Sequence, residues 1–99
     1  MDENNFISSI DKIIHEPARF IILANLYVVE SMDYLFLLNA TGLTKGNLTS
    51  HLTKLSEAEY VKINKEFKGN KPHTWLNITE KGKTALDNYR KIMQEAVKD

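Results

Sequence analysis

The 99-residue chain has no cysteine. Disulfides, thiolate metal sites and cysteine nucleophiles are therefore excluded, and the composition fits a reducing compartment. Apolar runs fall far short of the ~20 residues that cross a bilayer. The acidic, polar start is unlike a signal peptide. A soluble cytoplasmic protein with no membrane partner is the expectation. Net charge is also absent, since 13 Lys and Arg balance 13 Asp and Glu, which at first argues against nucleic acid. No glycine-rich phosphate loop occurs. His15, His51 and His73 are widely spaced and match no metal-ligand pattern. Carboxylates are scattered rather than paired. Neither enzymatic chemistry nor a cofactor or metal is expected, and the length suits one domain, spanning 1–99.

What is present is uneven. Residues 1–42 hold Lys12 and Arg19 against six acidic residues, whereas residues 43–75 hold six lysines against three glutamates. A local positive field can exist despite a neutral total. That field coincides with the stretch LTKGNLTSHLTKLSEA at 43–58. There Leu48, Leu52 and Leu55 recur at helical spacing, and Thr44 can cap the first turn with its hydroxyl. Gly46, Asn47, Thr49, Ser50, Thr53 and Lys54 share the opposite face, which carries no acid before Glu57. A solvated face usually mixes both signs; this one suits approach to an anionic polymer.

Taken in order, residues 5–14 carry Phe6, Ile7, Ile10, Ile13 and Ile14 at helical spacing, predicting a first helix. Pro17 opens a second, running to about Val29. That helix is apolar nearly all round, the pattern of a centrally buried helix, with Arg19 expected in a structural ion pair. Residues 31–33 read as a connection, with Asp33 as an N-cap. A short helix follows, ended by Gly42 in a left-handed cap. After the 44–58 helix the period changes to two over 61–67 and again over 73–78, with turn residues at 68–72 between. Thr79 then caps a last helix. Its apolar stripe is Ala85, Leu86, Tyr89, Ile92, Met93, Ala96 and Val97.

The predicted class is mainly α with a small β-hairpin, in the order α-α-α-α-β-β-α. A hairpin directly after two closely joined helices is the arrangement of a winged helix-turn-helix. The chain resembles the MarR-like and ArsR-like winged-helix transcriptional regulators, most of all their small single-domain group. The resemblance rests on HEPARFIILANL at 15–26, TGLTKGNLTSHLTKL at 41–55, FKGNKPHTWLNIT at 67–79 and EKGKTAL at 80–86.

The resemblance implies that double-stranded DNA is the partner. It makes 44–58 the recognition helix, with Thr44, Lys45, Gly46, Asn47, Thr49, Ser50, Thr53 and Lys54 facing the duplex. His51, at the edge of the leucine stripe, is read as a packing or phosphate-contact residue. The wing, about 60–78, would place Lys68, Asn70, Lys71 and His73 on DNA. Relatives often carry wing arginines; lysine lacks the guanidinium fork that suits a narrow groove, so phosphate contact from Lys68 and Lys71 is favoured. Glu59 stands where relatives commonly have glycine, so either it adopts a left-handed conformation or the helix ends differently.

The stripes of the terminal helices, about 5–14 and 80–97, exceed what a small core needs. They predict a homodimer through Phe6, Ile7, Ile10, Leu86, Tyr89, Ile92, Met93 and Ala96, which would match a palindromic site. The expected function is sequence-specific transcriptional regulation, with repression the expected sign. The alternatives are a protein-interaction scaffold or non-specific architectural binding. Any small-molecule effector, its identity unknown, would occupy the cleft between the terminal helices and the DNA-binding lobes.

Overall fold

The computed structural model describes residues 3–98, with side chains from residue 6 onward. Five helices and three strands follow one another as α1 (Glu3–Ser9), α2 (Pro17–Val29), β1 (Ser31–Asp33), α3 (Tyr34–Thr41), α4 (Lys45–Glu57), β2 (Val61–Lys68), β3 (Lys71–Ile78) and α5 (Glu80–Ala96).

Local chemistry sets most of these boundaries. At α2 the Glu16 carboxylate accepts from the backbone N–H groups of Ala18 and Arg19, both at 3.0 Å, and Pro17 fits the first turn. Burial works to raise the Glu16 carboxyl, but those two bonds and the nearby His51 and Arg19 outweigh it, and its pKa lies below the usual value. Asp33 caps α3 through Leu35, Thr44 caps α4 through Asn47, and Thr79 caps α5 through Gly82. Gly42 ends α3 with φ 71°, in the left-handed region that glycine enters without penalty.

Among the described side chains, the core is one cluster that draws on every element except α1. Ile14, Ile22, Leu23, Leu26, Leu37, Leu48, Leu55 and Leu76 are its fully buried side chains, and Val61, Ile78 and Leu86 complete its sheet and α5 sides. Alternation along the hairpin decides which residues enter it. Val61 and Ile63 pair with Ile78 and Leu76 on the inner face, while Lys62 and Asn64 pair with Asn77 and Trp75 on the outer one.

Three expectations need correction. The first helix does not reach residue 14: α1 stops at Ser9. Beyond it the Asp11 carboxylate accepts from the N–H groups of Ile13 (2.9 Å) and Ile14 (3.2 Å). This competing side-chain turn holds the backbone out of the helix. The same carboxylate accepts from the Tyr60 hydroxyl at 2.5 Å. Burial first, and then Asp11, push the Tyr60 phenol up to about 12.

Residues 31–33 are a strand and not a plain connection. They pair antiparallel with β3, Met32 opposite Leu76, giving a three-stranded sheet ordered β1-β3-β2. Met32 is buried between the helices and the sheet, which pulls the segment into the ladder. The chain order is therefore α-α-β-α-α-β-β-α.

The hairpin turn is also tighter than the predicted span of 68–72, because the strands extend until Lys68 faces Lys71. Only Gly69 and Asn70 lie between them, and Gly69 has φ 63°. Glycine at the first central position with positive φ is the signature of a type II′ turn.

The end of α4 resolves the two possibilities left open at Glu59, which takes φ 65°. The Tyr60 N–H reaches back to the Leu55 carbonyl at 2.9 Å and the Glu59 N–H to that of Ser56 at 2.9 Å. This is a Schellman closure, with a glutamate rather than the usual glycine in the left-handed position.

Candidate nucleic-acid interface

The leucines of α4 commit one face to the core, and the other face is left to solvent. Leu48, Leu52 and Leu55 are buried, while Thr44, Lys45, Gly46, Asn47, Thr49, Ser50, Thr53 and Lys54 are all exposed. The eight residues expected to face a duplex thus form one continuous surface. A methyl group added at Gly46 would meet nothing within 4 Å. No packing demand therefore requires glycine at this helical position.

Hydrogen bonding divides these side chains into two kinds. The Tyr34 hydroxyl, on α3, lies 3.1 Å from the Lys45 carbonyl oxygen and 2.9 Å from the Thr49 hydroxyl. A phenol has one proton. With that proton given to the Lys45 carbonyl, Thr49 must donate to Tyr34, and only acceptor capacity remains on Thr49. The Thr53 hydroxyl similarly donates to the Thr49 carbonyl at 2.9 Å. Asn47 and Ser50 make no side-chain hydrogen bond among the described residues. Both keep donors and acceptors free for an outside partner. Thr44 accepts from the Asn47 N–H at 3.2 Å, which leaves its own hydroxyl proton available at the electropositive end of the helix.

His51 is turned away from this surface. Its Nδ1 is 3.2 Å from an Arg19 guanidinium nitrogen and 3.3 Å from a Glu16 carboxylate oxygen. A single Nδ1 can accept from Arg19 or donate to Glu16, but not both at once. Arg19 also donates to the Ile13 carbonyl at 2.6 Å. The group ties the 10–16 turn, α2 and α4 together, the structural role expected of Arg19.

The wing carries its charge at the tip. Lys68 and Lys71 are directly opposed across the hairpin, an arrangement that costs stability unless an anion lies nearby. The Lys68 ammonium sits 5.9 Å from the Trp75 ring centroid, and the Trp75 indole N–H donates to Glu66 at 2.6 Å. Asn70 is exposed at the turn. His73 is half-buried and sits 3.4 Å from Asp33, the cap of α3, so it joins the wing to β1. Among the described residues, Lys45, Lys54, Lys65, Lys68 and Lys71 enter no ion pair with an acid. The expected site is therefore two exposed cationic surfaces, α4 and the wing tip, of which His73 is the least accessible member.

The residues expected at a dimer interface differ in exposure. Leu86 is buried in this chain's own core, and Tyr89 is half-buried, bonded to His15 at 2.9 Å. Ile7 and Ala96 are exposed, whereas Phe6, Ile10, Ile92 and Met93 are half-covered. Helix α2 adds exposed apolar surface beside them. Ile22, Leu23 and Leu26 are buried, but Phe20, Tyr27 and Val28 remain exposed. Phe20, Ala24 and Tyr27 form, with Tyr89 and Met93 of α5 and Val97 just beyond its end, an apolar groove of about 580 Å³. The nearly all-round apolar pattern of α2 was the sequence signal for this surface. Among the described residues no group of three or more His, Asp or Glu could hold a metal ion, and no helix is long and apolar enough to cross a membrane.

Comparison with known proteins agrees with this geometry. Residues 18–97 match the model of the winged helix DNA-binding domain. An uncharacterized protein of Methanocaldococcus jannaschii is 38% identical over 78 residues, covering 79% of this chain and 85% of that one. Among solved structures, a transcriptional regulator homologue from Pyrococcus horikoshii OT3 superposes with TM-score 0.85 at 23% identity, over 95% of this chain and 91% of the other. MarR superposes with TM-score 0.74 at 15% identity, over 92% of this chain and 66% of its own. These two share the fold. The matched family is one of DNA-binding domains and not of enzymes. The chain belongs to the winged-helix DNA-binding domain family.

Proposed function

We propose that this protein is a homodimeric, sequence-specific transcriptional regulator of the cytoplasm that represses by occupying palindromic sites. The observation that carries the reading is the outer face of α4. It is exposed, free of acid and of large apolar side chains, and furnished with Asn47 and Ser50 whose hydrogen-bonding groups are unused within the chain. Lys45, Lys54, Lys68 and Lys71 supply salt-dependent phosphate affinity. Asn47 can pair with an adenine edge, and Ser50 can serve either partner. Thr49 and Thr53 present acceptors and methyl groups. A scaffold role would favour exposed large apolar residues at 45–54, and that face has none.

Dimerisation is supported by shape and by uncovered apolar surface. The radius of gyration is 15.0 Å, whereas a compact chain of this length is expected near about 13 Å. The groove between α2 and α5, with Phe20, Met93 and Val97, is apolar and open. Covering it with the terminal helices of a second copy doubles the phosphate contacts and sets two recognition helices on one face. An effector, where one exists, would bind beside this junction.

Selection from a randomised duplex pool, followed by sequencing of the bound fraction, tests the reading. Enrichment of one palindromic motif with salt-sensitive affinity is expected. Binding without enrichment would make the protein architectural, and no binding at low salt would favour the scaffold alternative.

A further inference from the structure

The wing has an aromatic residue that the fold does not use. Phe67 is 72% exposed and stands outside the core cluster and the side chains packed around it. A single exposed apolar side chain is ordinary; its position is what gives it meaning. Strand alternation puts Phe67 on the same face as Val61 and Ile63, the face that α4 and the core cover. The strand runs past that cover, so Phe67 and Pro72, its cross-strand partner, extend the inner face into solvent at the hairpin tip.

The surroundings of Phe67 are cationic. Lys65 lies two residues before it on the same face, whereas Lys68 and Lys71, which close the hairpin at the tip, alternate to the opposite face, where the Lys68 ammonium lies 5.9 Å from the Trp75 ring centroid. The one nearby acid, Glu66, points to the opposite face and is held by the Trp75 indole. An apolar ring with one exposed lysine on its own face and two on the other face of the hairpin tip, at the end of a two-stranded arm, is suited to a groove in a polyanion, with charge on both walls and an apolar interior. A duplex answers that description: phosphates line the groove edges, and sugars and base faces lie within.

We propose that Phe67 is an apolar wedge by which the wing enters the minor groove of bound DNA, with Lys65, Lys68 and Lys71 on the flanking phosphates. This rests on the DNA-binding reading above. A wing without arginine cannot exploit the negative potential of a narrow groove through a guanidinium. Minor-groove proteins otherwise use apolar side chains that press against or between base steps. The wedge therefore reads groove floor and deformability, with the lysines supplying only position.

The test uses the full chain, wild type and Phe67→Ala, titrated by fluorescence anisotropy against duplexes carrying the motif that wild type enriches. The flank under the wing is made A·T, G·C or inosine·C. The guanine amino group fills the minor-groove floor, and inosine removes it while leaving the major groove unchanged. Wild type should bind A·T and inosine·C flanks about tenfold or more tighter than G·C. Phe67→Ala should lose that preference and about tenfold in affinity on A·T, with an unchanged salt slope because no cation is removed. A melting curve matching wild type confirms the fold. Affinity within about twofold of wild type, or an equal loss on every flank, overturns the wedge while leaving DNA binding intact. If wild type binds no duplex at any salt, the wedge and the DNA reading fall together.

Discussion

The hydroxyl of Tyr34 is shared between the backbone of Lys45 and the side chain of Thr49, at 3.1 and 2.9 Å. One phenol thus joins α3 to the exposed edge of α4. It orients the first turns of the helix and decides which hydrogen-bonding role Thr49 keeps. Tyr34→Phe removes the hydroxyl and little else. Stability should fall by about 1 kcal/mol, read as a lower denaturant midpoint at unchanged slope. Thr49 then regains a donor, so the sequence preference at one motif position should relax, visible by repeating the selection with the variant.

Gly46 separates folding from function. The site is helical and open, so Gly46→Ala should stabilise the protein by about 0.5–1 kcal/mol. If the backbone approaches DNA there, the same change should weaken DNA binding by about tenfold, a loss of roughly 1.4 kcal/mol. Chemical denaturation and a binding titration on one preparation check both halves. A gain in stability with no loss of affinity would place the closest approach elsewhere on α4.

Gly82 has the opposite character. A side-chain carbon there would overlap the backbone carbonyl of Tyr60, the residue that leads into β2. The obstacle is main chain, so no rotamer change relieves it. Gly82→Ala should destabilise by about 2 kcal/mol or more, measured by urea unfolding. The glycine of EKGK therefore marks where α5 crosses the start of the hairpin strand.

Acid stability should depend on Asp33. Burial works to raise its carboxyl, but the N–H of Leu35 and the bond from His73 outweigh that, and its pKa lies below 3.8. A carboxylate lowered on folding stabilises the native state fully above its unfolded pKa, and the contribution is lost as pH falls through the folded value. Asp33→Asn can still cap α3 but carries no charge. Its stability should fall less steeply than wild type as pH drops below the unfolded carboxylate value of about 4, as followed by denaturant midpoints on acidification.

Much of this architecture was legible because its signals are local. Pro17, Thr44, Gly42 and Thr79 announce helix ends through their own side chains or backbone freedom, and alternation from Val61 to Phe67 announces a strand. What stayed hidden depends on distant partners. Strand β1 has three residues, too few to display a period, and exists because Met32 finds Leu76. The end of α1 depends on the Asp11 side chain competing for backbone donors. At the candidate site, the exposed face of α4 could be read from spacing alone. The Tyr34 bridge, the turning of His73 toward Asp33 and the contribution of α2 to the apolar groove could not, because each joins residues that are far apart in the chain.

The central claim, that the exposed face of α4 holds DNA, is tested most directly by measuring affinity against salt for wild type, Lys54→Glu and a Lys98→Glu control at the end of the chain. Lys54→Glu should leave folding within about 0.5 kcal/mol of wild type. It should weaken binding by more than about tenfold and flatten the plot of log affinity against log salt by about 0.9 for each cation lost. The control should behave as wild type. Equal affinity and equal slope for Lys54→Glu at moderate salt would contradict the assignment of α4 as the recognition helix.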